Sequence, residues 1–161
     1  MTRNAGSETL RNLTVNDPPS PTLEDAIALA AEAHRGQRDK AGAPYILHPL
    51  RVMLRLHSEQ ERIVGVLHDV VEDTGYSLAD LRARGYSDSI MDVLDRVTKR
   101  EGEDYDAFIA RAAGDLVAAR VKLADLEDNL DLRRLREVTP KDVERLDRYV
   151  KARHRLRESV Q

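Results

Sequence analysis

Within six residues the chain reads His68-Asp69-Val70-Val71-Glu72-Asp73. Neutral imidazole nitrogen and carboxylate oxygen are sound ligands for Mn, Fe or Zn. On a helix, positions 68 and 72 share a face, as do 69 and 73. Two acids then stand one turn beyond two potential ligands. Three carboxylates at the C-terminal end of an apolar helix repel one another and meet the wrong end of the macrodipole, unless a cation offsets them. The plainer alternative is a buried histidine beside solvated acids. A second group is Val121-Lys122-Leu123-Ala124-Asp125 with Asn129. Asp125 and Asn129 share a face and Lys122 lies one turn earlier, so the three could complete a metal shell and hold a phosphate. They could equally be a solvated stripe, given Glu127, Asp128 and Asp131 nearby. A third is Gly42-Ala43-Pro44-Tyr45-Ile46-Leu47-His48-Pro49, where His48 sits between a short extended segment and a proline, a stiff backbone suited to aiming a ligand. His34, on an apolar stripe, reads as a buried hydrogen-bonded histidine. His57 and His154 read as solvated helix residues.

The elements that must carry these groups are all helical. Thr22 looks like an N-cap with Asp25 in capping-box position, and Leu23, Ile27, Ala30 and His34 follow at helical spacing. Further helices are expected over Pro49–His57, Glu61–Asp73, Leu78–Arg84, Ser87–Thr98, Asp104–Ala113, Leu116–Leu135 and from Pro140 onward. Tyr45–Leu47 is expected to be extended, because Pro44 and Pro49 disfavour helix just before them. No segment alternates as a half-buried strand would. Residues 1–20, rich in Asn, Thr, Ser and Pro, read as a mobile arm, and 21–161 as one domain with short connections.

Composition narrows the function classes. Lys and Arg number 26 against 29 Asp and Glu, a net charge of −3, too balanced to coat nucleic acid or an anionic membrane by bulk charge. There is no Cys, hence no disulfide framework, thiolate nucleophile or thiolate metal site. One Phe, five Tyr and no Trp leave no platform for stacking single-stranded bases. The longest apolar run, Ala26–Ala31, is too short for a bilayer and no signal-peptide core is visible, so a cytoplasmic location is expected, without nucleic-acid or membrane partners.

Taken in order, Ala33-His34-Arg35-Gly36-Gln37, Gly42-x-Pro44-Tyr45-Ile46-x-His48-Pro49-Leu50, His68-Asp69-x-x-Glu72-Asp73-Thr74, Val97-Thr98-Lys99 and Lys122-Leu123-Ala124-Asp125 with Asn129 resemble the hydrolase domain of Rel/SpoT alarmone enzymes, and most closely the stand-alone small alarmone hydrolases. The resemblance spans residues 22–155 and places the chain in the all-helical HD phosphohydrolase superfamily. It implies one Mn²⁺ held by His48, His68, Asp69 and Asp125, and a catalytic pair in Glu72 and Asp73. It also implies a nucleotide pocket built from Arg38, Asp39, Lys40, Ala41 and Asn129. The implied reaction removes the 3′-diphosphate of guanosine tetra- or pentaphosphate, giving GDP or GTP and pyrophosphate. With no synthetase segment in these residues, degradation alone is expected. Asp39 departs from the pattern: it stands where the family's loop carries a basic residue packed on guanine. A carboxylate near an anionic substrate costs affinity unless paired. Asp39 is therefore expected to face solvent or a neighbouring Arg, with weak discrimination between guanine and adenine.

The residue chemistry supports such a hydrolysis: an ion to polarise phosphate and water, acids to move protons, and cations to neutralise charge. Arg35, Arg38, Lys40 and Arg51 flank the expected pocket. The alternatives are the same chemistry on another phosphorylated nucleotide, such as NADPH or an adenosine alarmone, and a non-catalytic nucleotide sensor. The sensor has no need of His48, His68, Asp69, Glu72, Asp73 and Asp125 together. Residues 132–161 carry ten Lys or Arg against five Asp or Glu, which reads as a solvated helix face, though it could meet an acidic partner.

Overall fold

Thr22, Ser58, Ser77 and Thr139 each start a helix by the same device. The side-chain oxygen accepts from the backbone N–H three residues on, and Asp25, Glu61, Asp80 or Asp142 there reaches back to the cap. In the computed structural model, which describes residues 20–161, they open α1 (Leu23–Ala33), α3 (Glu59–Leu67), α5 (Leu78–Ala83) and α9 (Pro140–Ser159). Between them lie α2 (Leu47–Leu54), α4 (Val70–Asp73), α6 (Asp88–Val97), α7 (Tyr105–Ala113) and α8 (Leu116–Asn129), followed by a 3-10 turn at Leu132–Arg134. Among the described residues there is no strand, only one isolated bridge between Arg38 and Pro44. The all-helical expectation is met. The expected arm lies, apart from Ser20, outside the described residues.

α3 is the central element. Ile63, Val64, Val66 and Leu67 are buried on it and pack with Ala26, Leu29 and Ala30 of α1, Val52 and Met53 of α2, Leu94 and Val97 of α6, and Val121 of α8. At roughly 25 cal/mol per Å² of apolar surface, a fully buried Leu or Val contributes about 1.5–3 kcal/mol. α2 crosses close to α3 at Gly65, where a Cβ would come within 2.5 Å of Leu56 Cδ1. A second apolar cluster, with Phe108, Ile109, Ala119, Leu126 and Leu156, joins α7, α8 and α9. α8 belongs to both clusters and so holds Asp125 between them.

The boundaries differ from expectation in four places. The helix expected over Glu61–Asp73 is two, broken at His68 and Asp69, because the His68 ring bonds the Gly65 carbonyl at 2.7 Å and competes with the helical ladder. Tyr45–Leu47 is a turn running into α2, not an extended segment: Leu47 and His48 N–H bond the carbonyls of Pro44 and Tyr45. Pro49 is the third residue of α2, where no intrahelical N–H is needed. α2 stops at Leu54, since Ser58 must be extended to cap α3, and this leaves His57 solvated but in a loop. The long helix expected to reach Leu135 stops at Asn129, because Asp131 accepts from its own Arg133 N–H and starts a new turn.

Candidate active site and metal centre

The breaks in the helices are what assemble the site. His48 in the first turn of α2, His68 at the α3–α4 break and Asp125 on α8 are all buried, and one ligand atom from each lies within 4.8 Å of the others. His68 Nδ1 donates to the Gly65 carbonyl, which leaves Nε2 as the free lone pair. That Nε2 is buried and makes no hydrogen bond, with Asp69 Oδ2 at 3.1 Å and Asp125 Oδ1 at 3.5 Å. His48 Nε2 lies 3.1 Å from Asp125 Oδ1 and 3.4 Å from Asp69 Oδ2. Burial opposes charge on both rings, yet the carboxylates outweigh it. Hydrogen bonds to Asp125, Asp128 and Asp69 push His48 up to about 9, and the charges of Asp69 and Asp125 raise His68. Against their own burial, the two imidazoles hold Asp69 below the usual carboxylate range, and the charge of Lys122, with the imidazoles, does the same for Asp125. An arrangement that draws a proton onto two facing imidazoles would also favour a divalent cation between them, and the donor set of two imidazoles with carboxylates fits one.

Around this centre the expected residues converge on one cleft of about 340 Å³. Asp69, Glu72, Asp73 and Asp125 line it together with Arg38, Asp39, Lys40 and Asn129. Ala41 is not in its wall: its amide donates to Asp39 and its carbonyl accepts from Arg136 at 3.0 Å. A larger depression of about 520 Å³ beside α1 has neither Asp69 nor Asp125 in its wall, whereas both line the smaller cleft, so the chemistry belongs there.

Glu72 and Asp73 face the opening. Burial raises both carboxyls, and the charge of Asp69 raises Asp73 further. Glu72 Oε1 accepts from the Lys99 backbone N–H. The Lys99 loop is fixed by Arg111, which donates to the carbonyls of Asp95 and Thr98 and grips Glu103 at 2.6 and 2.8 Å. Arg111→Ala is expected to cost about 1.5–3 kcal/mol in urea unfolding and to lower turnover by releasing Lys99. Arg111 also holds Glu103 down to about 2. A depressed carboxyl contributes its stability above its ordinary range and loses it as pH falls toward about 2, so the variant should show a shallower acid dependence in that window.

Asp39 turns into its own loop. Oδ1 accepts from the Ala41 and Ala43 amides, both at 2.9 Å, and Oδ2 lies 4.0 Å from Arg134 Nε. The loop turns at Gly42, whose φ of +85° favours glycine, and Lys40 is tied to Asp142 on α9 at 2.6 Å. Asp39 thus shapes the loop that presents Arg38 and Lys40. Asp39→Ala should raise KM severalfold with little change in kcat. Asp39→Asn, which keeps an acceptor for both amides, should stay within about twofold in steady-state kinetics.

Of the expected flanking cations, Arg35 pairs with Glu32 on the surface and Arg51 with buried Asp128, and neither lines the cleft. Lys122, Arg134 and Arg145 do. Lys122 donates to Asp125 Oδ2 at 2.7 Å, and Asp125's charge keeps it protonated against burial. The hydroxyl of Tyr45, which nothing in its sequence context marks as a site residue, donates to Asp69 Oδ2 at 2.7 Å and lies 3.2 Å from Asp73 Oδ2. Asp128, read as solvated, is fully buried. Its place three residues after Asp125 on the same helix was the available signal. His34 is buried and bonded to Gln37, whose amide holds the Asp73 carbonyl.

Residues 26–106, half of the chain, match the model of the HD domain family. The chain belongs to the HD-domain family. This HD domain is 36% identical to the GTP pyrophosphokinase of Streptomyces coelicolor over 91% of its own length and 20% of that protein's. It is 32% identical to the guanosine-3′,5′-bis(diphosphate) 3′-pyrophosphohydrolase of Aquifex aeolicus over 83% of its length and 21% of that protein's. It therefore spans about a fifth of the length of these relatives. A solved structure described as a metazoan ortholog of SpoT that hydrolyzes ppGpp and plays a role in starvation responses superposes with a TM-score of 0.74, at 27% identity over 89% of each chain. The resemblance to Rel/SpoT-type hydrolase domains drawn from the motifs is borne out. No described helix is long and apolar enough to cross a membrane.

Proposed function

We propose that residues 21–161 form a catalytic unit that hydrolyses the 3′-diphosphate of guanosine 3′,5′-bis(diphosphate), yielding GDP and pyrophosphate, with Mn²⁺ as its metal. The observation that carries this is the buried His48, His68 and Asp125 cluster opening, past Glu72 and Asp73, onto a cleft walled by Arg38, Lys40, Lys122, Arg134 and Arg145. The relatives named for this reaction support the choice of substrate. His48, His68, Asp69 and Asp125 would hold the ion, which supplies a Lewis acid for the phosphoryl oxygens and makes water a better nucleophile. The oxygen of water bonds to the phosphorus on the 3′-oxygen, the bond from phosphorus to that oxygen breaks, and pyrophosphate departs. One proton leaves the attacking water and one arrives on the 3′-oxygen. Glu72 and Asp73 are the two groups in place to exchange them, and their raised carboxyls suit that traffic. Asn129 donates to Asp125 Oδ1 at 2.6 Å and stands beside Arg134 in the wall of the cleft that would take the nucleotide. With Asp39 occupied by its own loop, no charged side chain is assigned to the base, and guanine and adenine forms should be turned over with similar kcat/KM.

The test is product formation from guanosine and adenosine 3′,5′-bis(diphosphates) and NADPH with Mn²⁺, Mg²⁺ or Zn²⁺. Pyrophosphate release from the guanosine compound, greatest with Mn²⁺, is expected. Tight binding without turnover would support a sensor instead, and turnover of NADPH alone would move the substrate class.

A further inference from the structure

His48 and His68 are aimed by different means. His68 is held by a backbone carbonyl, whereas His48 Nδ1 lies 2.7 Å from Oδ2 of Asp128, a carboxylate with no exposed surface. Arg134 Nη1 lies 3.2 Å from the same ring nitrogen, but two donors cannot bond each other, and the shorter carboxylate contact places the proton on Nδ1. Asp128 is itself clamped. Arg51 donates to Oδ1 at 2.7 Å and to Oδ2 at 3.1 Å, and Arg134 donates to Oδ2 at 2.8 Å. The same Arg134 nitrogen donates to Asn129 Oδ1 at 3.2 Å, and Asn129 donates to Asp125 Oδ1. A chain of hydrogen bonds therefore runs from His48 through Asp128, Arg134 and Asn129 to Asp125, joining two of the three clustered ligands behind the centre.

We propose that Asp128 is a positioning residue that, fixed by Arg51 and Arg134, holds the His48 ring in the tautomer and rotation that turn Nε2 toward the metal. The inference rests on the metal reading above but not on the choice of substrate. A carboxylate behind a ligating histidine fixes its orientation and raises its basicity, and losing such a partner typically weakens metal binding about 10–100-fold. An asparagine there can present either its oxygen or its NH₂ to Nδ1. The second choice would favour the tautomer with the proton on Nε2, where the ion should sit.

The experiment follows the Nδ1–H protons of His48 and His68 by NMR in the Zn²⁺-loaded wild type and in Asp128→Asn. Mn²⁺ affinity is measured in parallel by competition with a chelating dye. The double variant Asp128→Asn/Arg51→Gln removes one of the two guanidinium charges left unpaired, should the single variant not fold. The expected result is a solvent-protected, downfield His48 Nδ1–H in the wild type that shifts or exchanges away in the variants while the His68 signal stays, with Mn²⁺ bound about 10–100-fold more weakly. A merely structural role for Asp128 would disturb both histidines or neither. Wild-type protein lacking the protected His48 signal overturns the proposal without need of a variant, as does an Asp128→Asn protein binding Mn²⁺ within about threefold of wild type, well short of that range. Wild type that binds neither metal overturns the metal reading instead, an outcome the dye assay separates from the others.

Discussion

Glu72→Gln and Asp73→Asn are each expected to cut turnover about 10²- to 10⁴-fold, the range for a lost general acid or base, while the protein keeps its full metal content. The argument is positional. Asp69, one turn before Asp73, lies 3.1 and 3.4 Å from the imidazole Nε2 atoms, whereas Glu72 and Asp73 line the cleft and pair with neither ring. Glu72 is fixed by the Lys99 amide, and the Asp73 carboxylate lies 3.2 Å from the Tyr45 hydroxyl whose proton goes to Asp69, so neither acid is neutralised by a cation. Glutamine and asparagine retain an acceptor for those contacts and lose only the exchangeable proton. Turnover at saturating substrate, beside metal content by elemental analysis, gives the answer. A loss under about threefold in both variants, far below that range, would mean that the two acids merely solvate the end of α4.

Asp69→Asn should empty the metal site while leaving helical circular dichroism intact. Asp69 is held ionised by the two imidazoles against its own burial, and the Tyr45 hydroxyl fixes its Oδ2. Removing the charge takes away the one carboxylate that approaches both rings from the α3–α4 break. Metal affinity should fall by more than the roughly 10–100-fold expected for losing an outer partner such as Asp128. Dialysed protein assayed for bound metal and for pyrophosphate release checks this. Full occupancy with unchanged activity would remove Asp69 from the centre.

The sequence carried the helices and the first contacts of the site because both obey short-range rules. The Thr22–Asp25 capping pair announced α1, Pro140 announced α9, and ligands and acids one helical turn apart announced the His68–Asp73 group. Gly42, Pro44 and Pro49 bracketed His48. What sequence did not show depends on contacts between distant segments. Asp128 and Asp131 are both acids near the end of α8, yet one is buried against Arg51, 77 residues away, and the other caps a surface turn. Arg35 and Arg51 seemed equivalent to Arg38 and Lys40 by proximity, but their carboxylate partners decided which cations remain at the cleft. Arg145 reaches it because α9 folds back against α7 and α8, and Arg134 because the turn after α8 brings it onto Asp128. The break at His68 is a local event, but a histidine that bonds its own helix carbonyl has no signature distinct from one that does not.

The central proposal is that His48, His68, Asp69 and Asp125 would hold a metal and that water attacks the phosphorus on the 3′-oxygen. The most direct measurement is turnover of guanosine 3′,5′-bis(diphosphate) in ¹⁸O-enriched water, with Mn²⁺ and after chelation. One ¹⁸O should appear in pyrophosphate and none in GDP, and the reaction should stop with the chelator and resume on adding Mn²⁺. Label in the 3′-hydroxyl of GDP, or undiminished turnover in the stripped protein, would contradict it.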